Sequence, residues 1–241
     1  MDTHATDAEN KTKESPLSSI DPVLIATHRR SGTHLMLDLI RRHFPASRVR
    51  LKPFESTHHL YVNVDRLKPD HHEPMTRSAF LSQIHRCHRM CVKSHALPGF
   101  PEIPERDIVE AIESGKIIHV VRDGRSVMSS WRHFESTRVD AAREGISRFL
   151  RSPGFGFPDR PTSWVEHTRA WMTHPGALHL SFEDVISDTQ GALERIGDYL
   201  GERPALREPL LPPRVAGRAQ RFIARLRGVT ESTTLPGPSR G

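Results

Sequence analysis

The sequence predicts an α/β domain in which helices pack on a central, mostly parallel sheet. Four short apolar runs are each followed, within a few residues, by a segment with helical periodicity, and this alternation is typical of βαβ units. A chain of 241 residues suits one such domain with a sizeable core. We expect residues 21–241 to form that domain, and the polar, aperiodic residues 1–20 to be a disordered tail.

Composition narrows the class of ligand. The net charge is +6, with 35 Lys and Arg residues, which favours anionic ligands. No basic motif interleaved with aromatic residues is present, so nucleic acid is not the expected partner. The sequence has no apolar run of transmembrane length and no signal-peptide core, which predicts a cytoplasmic protein. The 16 histidines are scattered, and we expect most of them on the surface.

The two cysteines, Cys87 and Cys91, lie close to His85 and His88. Their spacing matches no common zinc arrangement, and a second pair of ligands is missing. We therefore expect two reduced thiols and no metal site.

The first strand–turn–helix unit indicates an anion site. Val23–Ala26 is an apolar run typical of a buried parallel strand, and helical spacing from Leu35 continues to Phe44. The turn between them holds Arg30, Ser31, Gly32, Thr33 and His34. Unpaired N–H groups at a helix N-terminus attract anions, and glycine permits close approach of the backbone. The P-loop of nucleotide triphosphatases fits badly, because position 27 is threonine and no lysine follows Gly32.

A second chemical signal follows the apolar run at Met90 to Val92. Lys93 and His95 are two residues apart, so on a strand their side chains share a face. The carboxyl ends of parallel strands line the ligand crevice, so we expect both side chains to face the loop at Arg30.

The third signal follows the clearest strand of the sequence, Lys116 to Val121. Arg122 stands at the end of this strand, and Ser130 lies two turns into the helix that follows. We expect the two side chains to hold one phosphate together, because the planar guanidinium engages two phosphate oxygens at once.

The remaining elements complete the predicted alternation. Thr76 is expected to cap a helix that turns Phe80, Leu81 and Ile84 inward. A second helix at Pro104–Ser114 stops at Gly115. A strand spans Ala177–Ser181, and a last helix begins at Ser187 or Asp188 and ends at Gly201. Trp164 and Trp171 share a helical face with His167, and we expect both tryptophans in the core. The irregular stretches 45–75 and 135–160 are long enough to be functional loops, and we expect them to form a ligand pocket.

These signals together resemble a known family. Arg30-Ser31-Gly32-Thr33 resembles the 5′-phosphosulfate loop of the sulfotransferases, usually Pro-Lys/Arg-Ser-Gly-Thr, and Lys93-Ser94-His95 resembles their Lys-Thr/Ser-His. Arg122 and Ser130 have the separation of the family's 3′-phosphate ligands, and Phe182-Glu183-Asp184 is similar to its Tyr-Glu-Asp. The resemblance covers residues 23 to 201. It implies a three-layer, P-loop NTPase-like sulfotransferase fold and the co-substrate 3′-phosphoadenosine 5′-phosphosulfate (PAPS).

The resemblance also implies roles. His95 is then the catalytic base, while Arg30 and Lys93 stabilise the bridging oxygen and the leaving 5′-phosphate. The donor-binding residues it implies are Arg30, Ser31, Gly32, Thr33 and His34 at the 5′ side, Arg122 and Ser130 at the 3′-phosphate, Phe182 at the adenine, and Arg240 and Gly241 in the late segment of the chain. The implied reaction is in-line transfer of a sulfuryl group, without a metal, to a hydroxyl or amine of a small-molecule or carbohydrate acceptor.

Two departures from the family pattern leave other classes open. Leu35 stands where the family often has an adenine-stacking aromatic. Late in the chain the family has an Arg-Lys-Gly…Gly-x-Trp segment. The candidates for it in this sequence are Arg225–Gly228, or Ser239 with Arg240 and Gly241, and no tryptophan follows either of them. We therefore expect the segment that closes over the 3′-phosphate to lack its end. A P-loop-like phosphotransferase and a non-catalytic nucleotide- or polyanion-binding protein remain as alternatives.

Overall fold

A four-stranded parallel sheet is the centre of this computed structural model, which describes residues 21–49, 60–136 and 139–212. The strands are β1 (Val23–Thr27), β2 (Cys91–Ser94), β3 (Lys116–Val121) and β4 (Leu178–Ser181). Residues 1–20, predicted as a tail, lie outside the described residues, as do Arg225–Gly228 and Ser239–Gly241.

Helices connect the strands and cover the sheet. They are α1 (Thr33–His43), α2 (Arg77–Ile84), α3 (Arg106–Glu113), α4 (Gly124–Glu135), α5 (Asp140–Arg143), α6 (Ile146–Arg151), α7 (Arg160–Met172), α8 (Phe182–Ser187) and α9 (Thr189–Leu200). Two short 3-10 turns, Pro45–Ser47 and Val64–Leu67, lie in the stretch predicted to be irregular.

The strand order is β2-β1-β3-β4, and every pairing is parallel. β1 pairs with both β2 and β3, with Ala26 opposite Ser94 on one side and opposite His119 on the other. The carboxyl ends of these three strands therefore meet at one edge of the sheet. The mostly parallel sheet predicted from the sequence is confirmed, and that edge is where the chemical signals converge.

The core lies on both faces of the sheet, which gives three layers. Leu24 and Ala26 pack with α2, α3 and Trp171 on one face, while Val23 and Ile25 pack with α1 and α9 on the other. This alternation along β1 follows from the two-residue repeat of a strand, and a strand buried on both faces is apolar throughout. A third cluster joins α4, α5 and α6 around Trp131 and Phe149.

Most of the predicted elements are found, with shifts at their ends. Thr76 caps α2 by accepting from the Ala79 N–H at 3.3 Å, and Asp188 and Gly201 bound α9 as expected. α1 begins at Thr33 rather than Leu35, and α3 is shorter at both ends than Pro104–Ser114. Helix α8 was not predicted; Ser181 caps it by accepting from the Asp184 N–H at 3.0 Å.

Candidate active site

The loop between β1 and α1 turns sharply at the carboxyl edge of the sheet. Arg30 and Gly32 both have left-handed backbones, with φ of 69° and 96°, and the Ser31 N–H bonds the His28 carbonyl at 3.2 Å. No side chain caps α1, and its first turn holds no acidic residue, while its last turn carries Arg41, Arg42 and His43. The N-terminal N–H groups and the positive end of the helix dipole are therefore directed at the loop, where they favour an anion.

Arg30, Arg122 and Ser130 come together beside this loop. The Arg30 Nε donates to Ser130 Oγ at 3.2 Å, and an Arg122 guanidinium nitrogen donates to the Arg30 carbonyl at 2.9 Å. Next to them is an open groove of about 740 Å³ lined by Arg122, Asp123, Arg125, Ser126, Ser129, Ser130 and His133. Three residues that are far apart in the sequence thus form one cationic, hydroxyl-rich surface.

Buried polar atoms in this region fit an anionic ligand. Ser31 Oγ and Arg122 Nε are buried and have no hydrogen-bond partner among the residues that the structure describes. Thr33, in contrast, is already paired, since its hydroxyl lies 2.6 Å from that of Thr27. A buried donor without a partner costs stability, and phosphate oxygens accept from both of these groups.

Phe182 packs directly against the loop. A Cβ added to Gly32 would lie 2.4 Å from the Phe182 ring, so glycine is required there by contact as well as by backbone angle. The Arg122 guanidinium sits 4.4 Å from the centre of the same ring. The structure therefore brings Phe182 to the loop between β1 and α1, with Arg122 on its ring.

Lys93 reaches the first turn of α1. Its Nζ donates to His34 Nε2 at 3.1 Å, and the His34 ring lies 4.4 Å from the ring of Tyr61, whose hydroxyl donates to Asp38. Burial lowers the pKa of Lys93 to about 8. The lysine is therefore held at the loop with its positive charge retained at neutral pH.

His95 is fixed against the end of β1. Its Nδ1 lies 2.8 Å from the Thr27 carbonyl oxygen, and since a carbonyl can only accept, Nδ1 carries the proton and Nε2 has the lone pair. Burial, followed by the charge of Lys93, holds the pKa of His95 well below its ordinary value. The imidazole is neutral at physiological pH, which is the form a general base needs.

Asp65 supports His95 and was missed by the sequence analysis. Its carboxylate accepts from the His95 N–H at 2.9 Å and from the Ser94 hydroxyl. It stands in the 3-10 turn Val64–Leu67, where the Asn63 side chain accepts from the Asp65 N–H. The Asn-x-Asp pattern indicates a local turn, but nothing in that aperiodic stretch indicates its position beside β2.

Four of the thirteen histidines among the described residues are buried, and these four depart from the expectation that most histidines lie on the surface. His28, His119 and His167 are at most 3% exposed and form a cluster, with His167 5.5 Å from His28 and 6.2 Å from His119 between ring centres. Burial lowers the pKa of His28 and of His119 to about 4. His119 lies in the middle of β3 between two buried residues. Its position in an apolar strand is the sequence feature from which its burial could have been predicted.

The two tryptophans of α7 differ from each other. Trp171 is fully buried and donates from its indole nitrogen to the Ala96 carbonyl at 2.9 Å, as expected for a core residue. Trp164 is half-buried and lies against Gly124 at the start of α4. The prediction of a core position is therefore confirmed for Trp171 and only partly for Trp164.

Within the described residues, no group of three or more His, Cys, Asp and Glu side chains is arranged to hold a metal ion. Cys87 and Cys91 are free thiols. None of the helices in those same parts of the chain combines the length and apolar character needed to cross a bilayer.

Comparison with known proteins identifies relatives of this chain. A family model described as "Sulfotransferase domain" matches residues 20–212. The chain is 33% identical over 97 residues to sulfotransferase 2A1 of Rattus norvegicus, covering 36% of this chain and 32% of that protein. It is 30% identical over 97 residues to the 3-beta-hydroxysteroid sulfotransferase of Cavia porcellus, with the same two shares. The chain thus spans about a third of the length of these curated relatives.

A solved structure shares the fold. The crystal structure of mouse sulfotransferase SULT7A1 complexed with PAP matches 93% of this chain and 73% of its own, with a TM-score of 0.53 and 18% sequence identity. This similarity confirms the predicted P-loop-like sulfotransferase fold. Because the family model also matches most of the sequence, the chain belongs to the sulfotransferase domain family.

Proposed function

We propose that this protein transfers a sulfuryl group from PAPS to a hydroxyl or amine of a small-molecule or carbohydrate acceptor. The observation that carries the proposal is His95, held as a neutral base 2.8 Å from the end of β1 and next to the anion-binding loop. The mouse neighbour was solved with PAP. PAP, adenosine 3′,5′-bisphosphate, is what remains of PAPS after sulfuryl transfer, which supports the same donor here.

The residues of the loop and the groove fit the donor's two phosphate ends. Ser31, Gly32, Thr33 and His34 would surround the 5′-phosphosulfate at the N-terminus of α1. Arg122 and Ser130 would hold the 3′-phosphate, since they border the open groove and Arg122 Nε is buried without a partner. Phe182, beside Gly32, would contact the adenine. The unpaired buried donors and the uncapped helix N-terminus support this assignment.

When bound, PAPS supplies the sulfuryl group and a leaving 5′-phosphate, both of which carry negative charge. Lys93 places positive charge at the first turn of α1, where it would stabilise developing charge without moving. Arg30, whose Nε donates to Ser130 in this structure, would turn toward the leaving 5′-phosphate to add its charge. His95 Nε2 accepts the proton of the acceptor hydroxyl, and the bond from Nδ1 to the Thr27 carbonyl holds the ring in the required tautomer. Asp65 fixes the backbone of His95 and thereby positions the imidazole.

Calorimetry tests the donor first. We expect adenosine 3′,5′-bisphosphate to bind with a 1:1 stoichiometry, and ATP with Mg²⁺ to bind much more weakly. The reverse order would favour a P-loop-like phosphotransferase. A screen with labelled PAPS and a panel of hydroxyl acceptors then tests the reaction. Tight binding of the bisphosphate without transfer to any acceptor would indicate a non-catalytic nucleotide-binding protein.

A further inference from the structure

Two consecutive arginines of the loop point to different places. Arg30 has a left-handed backbone, and its guanidinium turns toward Ser130 and the donor groove. The Arg29 guanidinium instead lies 4.1 Å from the centre of the Phe155 ring. The family form of this loop has proline before the Lys/Arg, so Arg29 is a cation that the family pattern does not include.

The Arg29 guanidinium is largely buried. Its Nε is buried and has no hydrogen-bond partner, and no carboxylate among the described residues forms an ion pair with it. Burial lowers the pKa of Arg29, and the charges of Asp65 and Glu135 compensate only in part. A guanidinium placed in this way gains stability from an anionic partner that can form two hydrogen bonds with it.

Arg29 lies on the acceptor side of the loop. Burial is the main cause that lowers the pKa of Lys93 and of His95, and the charge of Arg29 adds to it as a lesser cause. The Arg29 backbone is also two residues from Thr27, which holds the His95 ring. The donor's phosphates are already matched by Arg30, Arg122 and the N-terminus of α1, which leaves Arg29 for a different anion.

The surroundings of Arg29 have the character of a small-molecule site. The Phe155 ring is 40% exposed and stacks on Trp131 with 4.9 Å between ring centres. His28 is 5.9 Å from Phe155, and beyond it His167 is buried with both ring nitrogens lacking a partner. An apolar platform, a cation and an unsatisfied imidazole together suit an acceptor with a flat body and polar groups.

We propose that Arg29 binds an anionic group of the acceptor, so that the protein prefers hydroxyl compounds carrying a carboxylate, sulfate or phosphate. This inference rests on the proposed function, because only a protein that transfers a sulfuryl group has an acceptor. Its binding test, however, does not require turnover. Phe155 supports the body of the acceptor, Arg29 fixes its anion, and the hydroxyl is left to face His95.

The test uses a matched pair of probes, 4-hydroxybenzoate and 4-hydroxybenzamide, titrated into the full-length protein by calorimetry with and without saturating PAP. We expect the carboxylate to bind at least tenfold more tightly than the amide. Arg29→Gln should reduce this ratio to below twofold and leave PAP affinity within a few-fold. Arg29→Lys should keep part of the preference, because it retains charge but not the bidentate geometry. With labelled PAPS, the ratio of kcat/KM for the two probes should follow the same order.

Arg169→Gln is the matched control, since Arg169 is an exposed residue of α7 paired with Glu166. It should leave the ratio unchanged. Equal binding of the two probes, or no binding of either, would overturn the inference. So would an Arg29→Gln protein that loses affinity for PAP, which would assign Arg29 to the donor. Failure of the proposed function has a different result, namely no PAP binding and no transfer, whichever probe the protein prefers.

Discussion

The proposed donor side and the proposed acceptor side of the site are built in different ways. On the donor side, five consecutive loop residues, 30–34, combine with Arg122 and Ser130 of one strand–helix unit. On the acceptor side, Arg29, His95, Phe155 and His167 come from four separate segments. The donor side is therefore a property of local strand-to-helix turns, whereas the acceptor side exists only once the chain has folded.

Exposure also separates the two sides. The donor groove is open and lined by arginines and hydroxyls, which suits a ligand with several charges. On the acceptor side, burial of His95 lowers its pKa. Positive charge and hydroxyl donors thus favour anion binding on one side, and desolvation tunes acid–base behaviour on the other. Substitutions should accordingly separate binding from chemistry.

The largest difference between the effect on turnover and the effect on donor affinity is expected at His95. His95→Ala should lower turnover with a neutral hydroxyl acceptor by about 10²–10⁴, the usual contribution of a positioned general base. Donor affinity should stay within a few-fold, because the imidazole faces Thr27 and the acceptor rather than the groove. Single-turnover rates and calorimetry with PAP measure the two quantities. A His95→Ala protein that transfers sulfuryl at the native rate would end the assignment of a histidine base.

At Arg122 the opposite is expected, namely a loss of donor affinity. Arg122→Ala should weaken PAP binding by about 1.5–3 kcal/mol, the range of charge-assisted hydrogen bonds. Adenosine 5′-monophosphate, which lacks the 3′-phosphate, should bind nearly as well as to the native protein. Arg148→Ala on α6, whose guanidinium is exposed and pairs with Glu144, is the control. Equal losses for both nucleotides would show that Arg122 does not act at the 3′-phosphate.

This difference between the two sides explains how much of the fold and of the site could be predicted from the sequence. Strand, turn and helix succeed one another in the sequence, so the parallel sheet and the positions of Arg30, Lys93, His95 and Arg122 at its edge could be expected. Asp65 could not, because it reaches His95 from an aperiodic stretch through a tertiary contact. The direction of Arg29 was equally hidden, since it depends on the left-handed backbone of Arg30, a conformation that arginine seldom adopts.

A smaller effect should appear where the donor loop meets Phe182. Gly32→Ala should destabilise the protein by about 1–3 kcal/mol, because alanine is strained at a φ of 96° and its Cβ would overlap the Phe182 ring. Gly99→Ala is a matched control, since Gly99 has a φ of 78° but nothing within 4 Å of an added Cβ. Thermal unfolding of the two variants, with a Gly32→Ala/Phe182→Ala double variant, isolates the contact. A Gly32→Ala loss no larger than that of Gly99→Ala would contradict the close packing of Phe182.

The pH profile gives the smallest expected effect and tests the acceptor side alone. In the proposed mechanism the neutral form of His95 is the active one, so kcat/KM should fall as the pH drops through the pKa of this residue. An ordinary histidine, with a pKa of about 6.5, would leave about a tenth of the activity at pH 5.5. Because burial lowers the pKa of His95, we expect the native protein to keep most of its activity there.

At alkaline pH the dependence of kcat/KM on pH should reverse its sign, because Lys93 can stabilise charge only when it is protonated. Burial lowers its pKa to about 8, so kcat/KM should decline above that value. In Lys93→Arg the alkaline decline should disappear, since arginine stays charged, while the acid limb remains. The residual activity of His95→Ala corrects for titration of the donor's own phosphate. An acid limb centred at pH 6.5 would mean that His95 is solvated, and the desolvated acceptor side contrasted with the open donor groove would then be wrong.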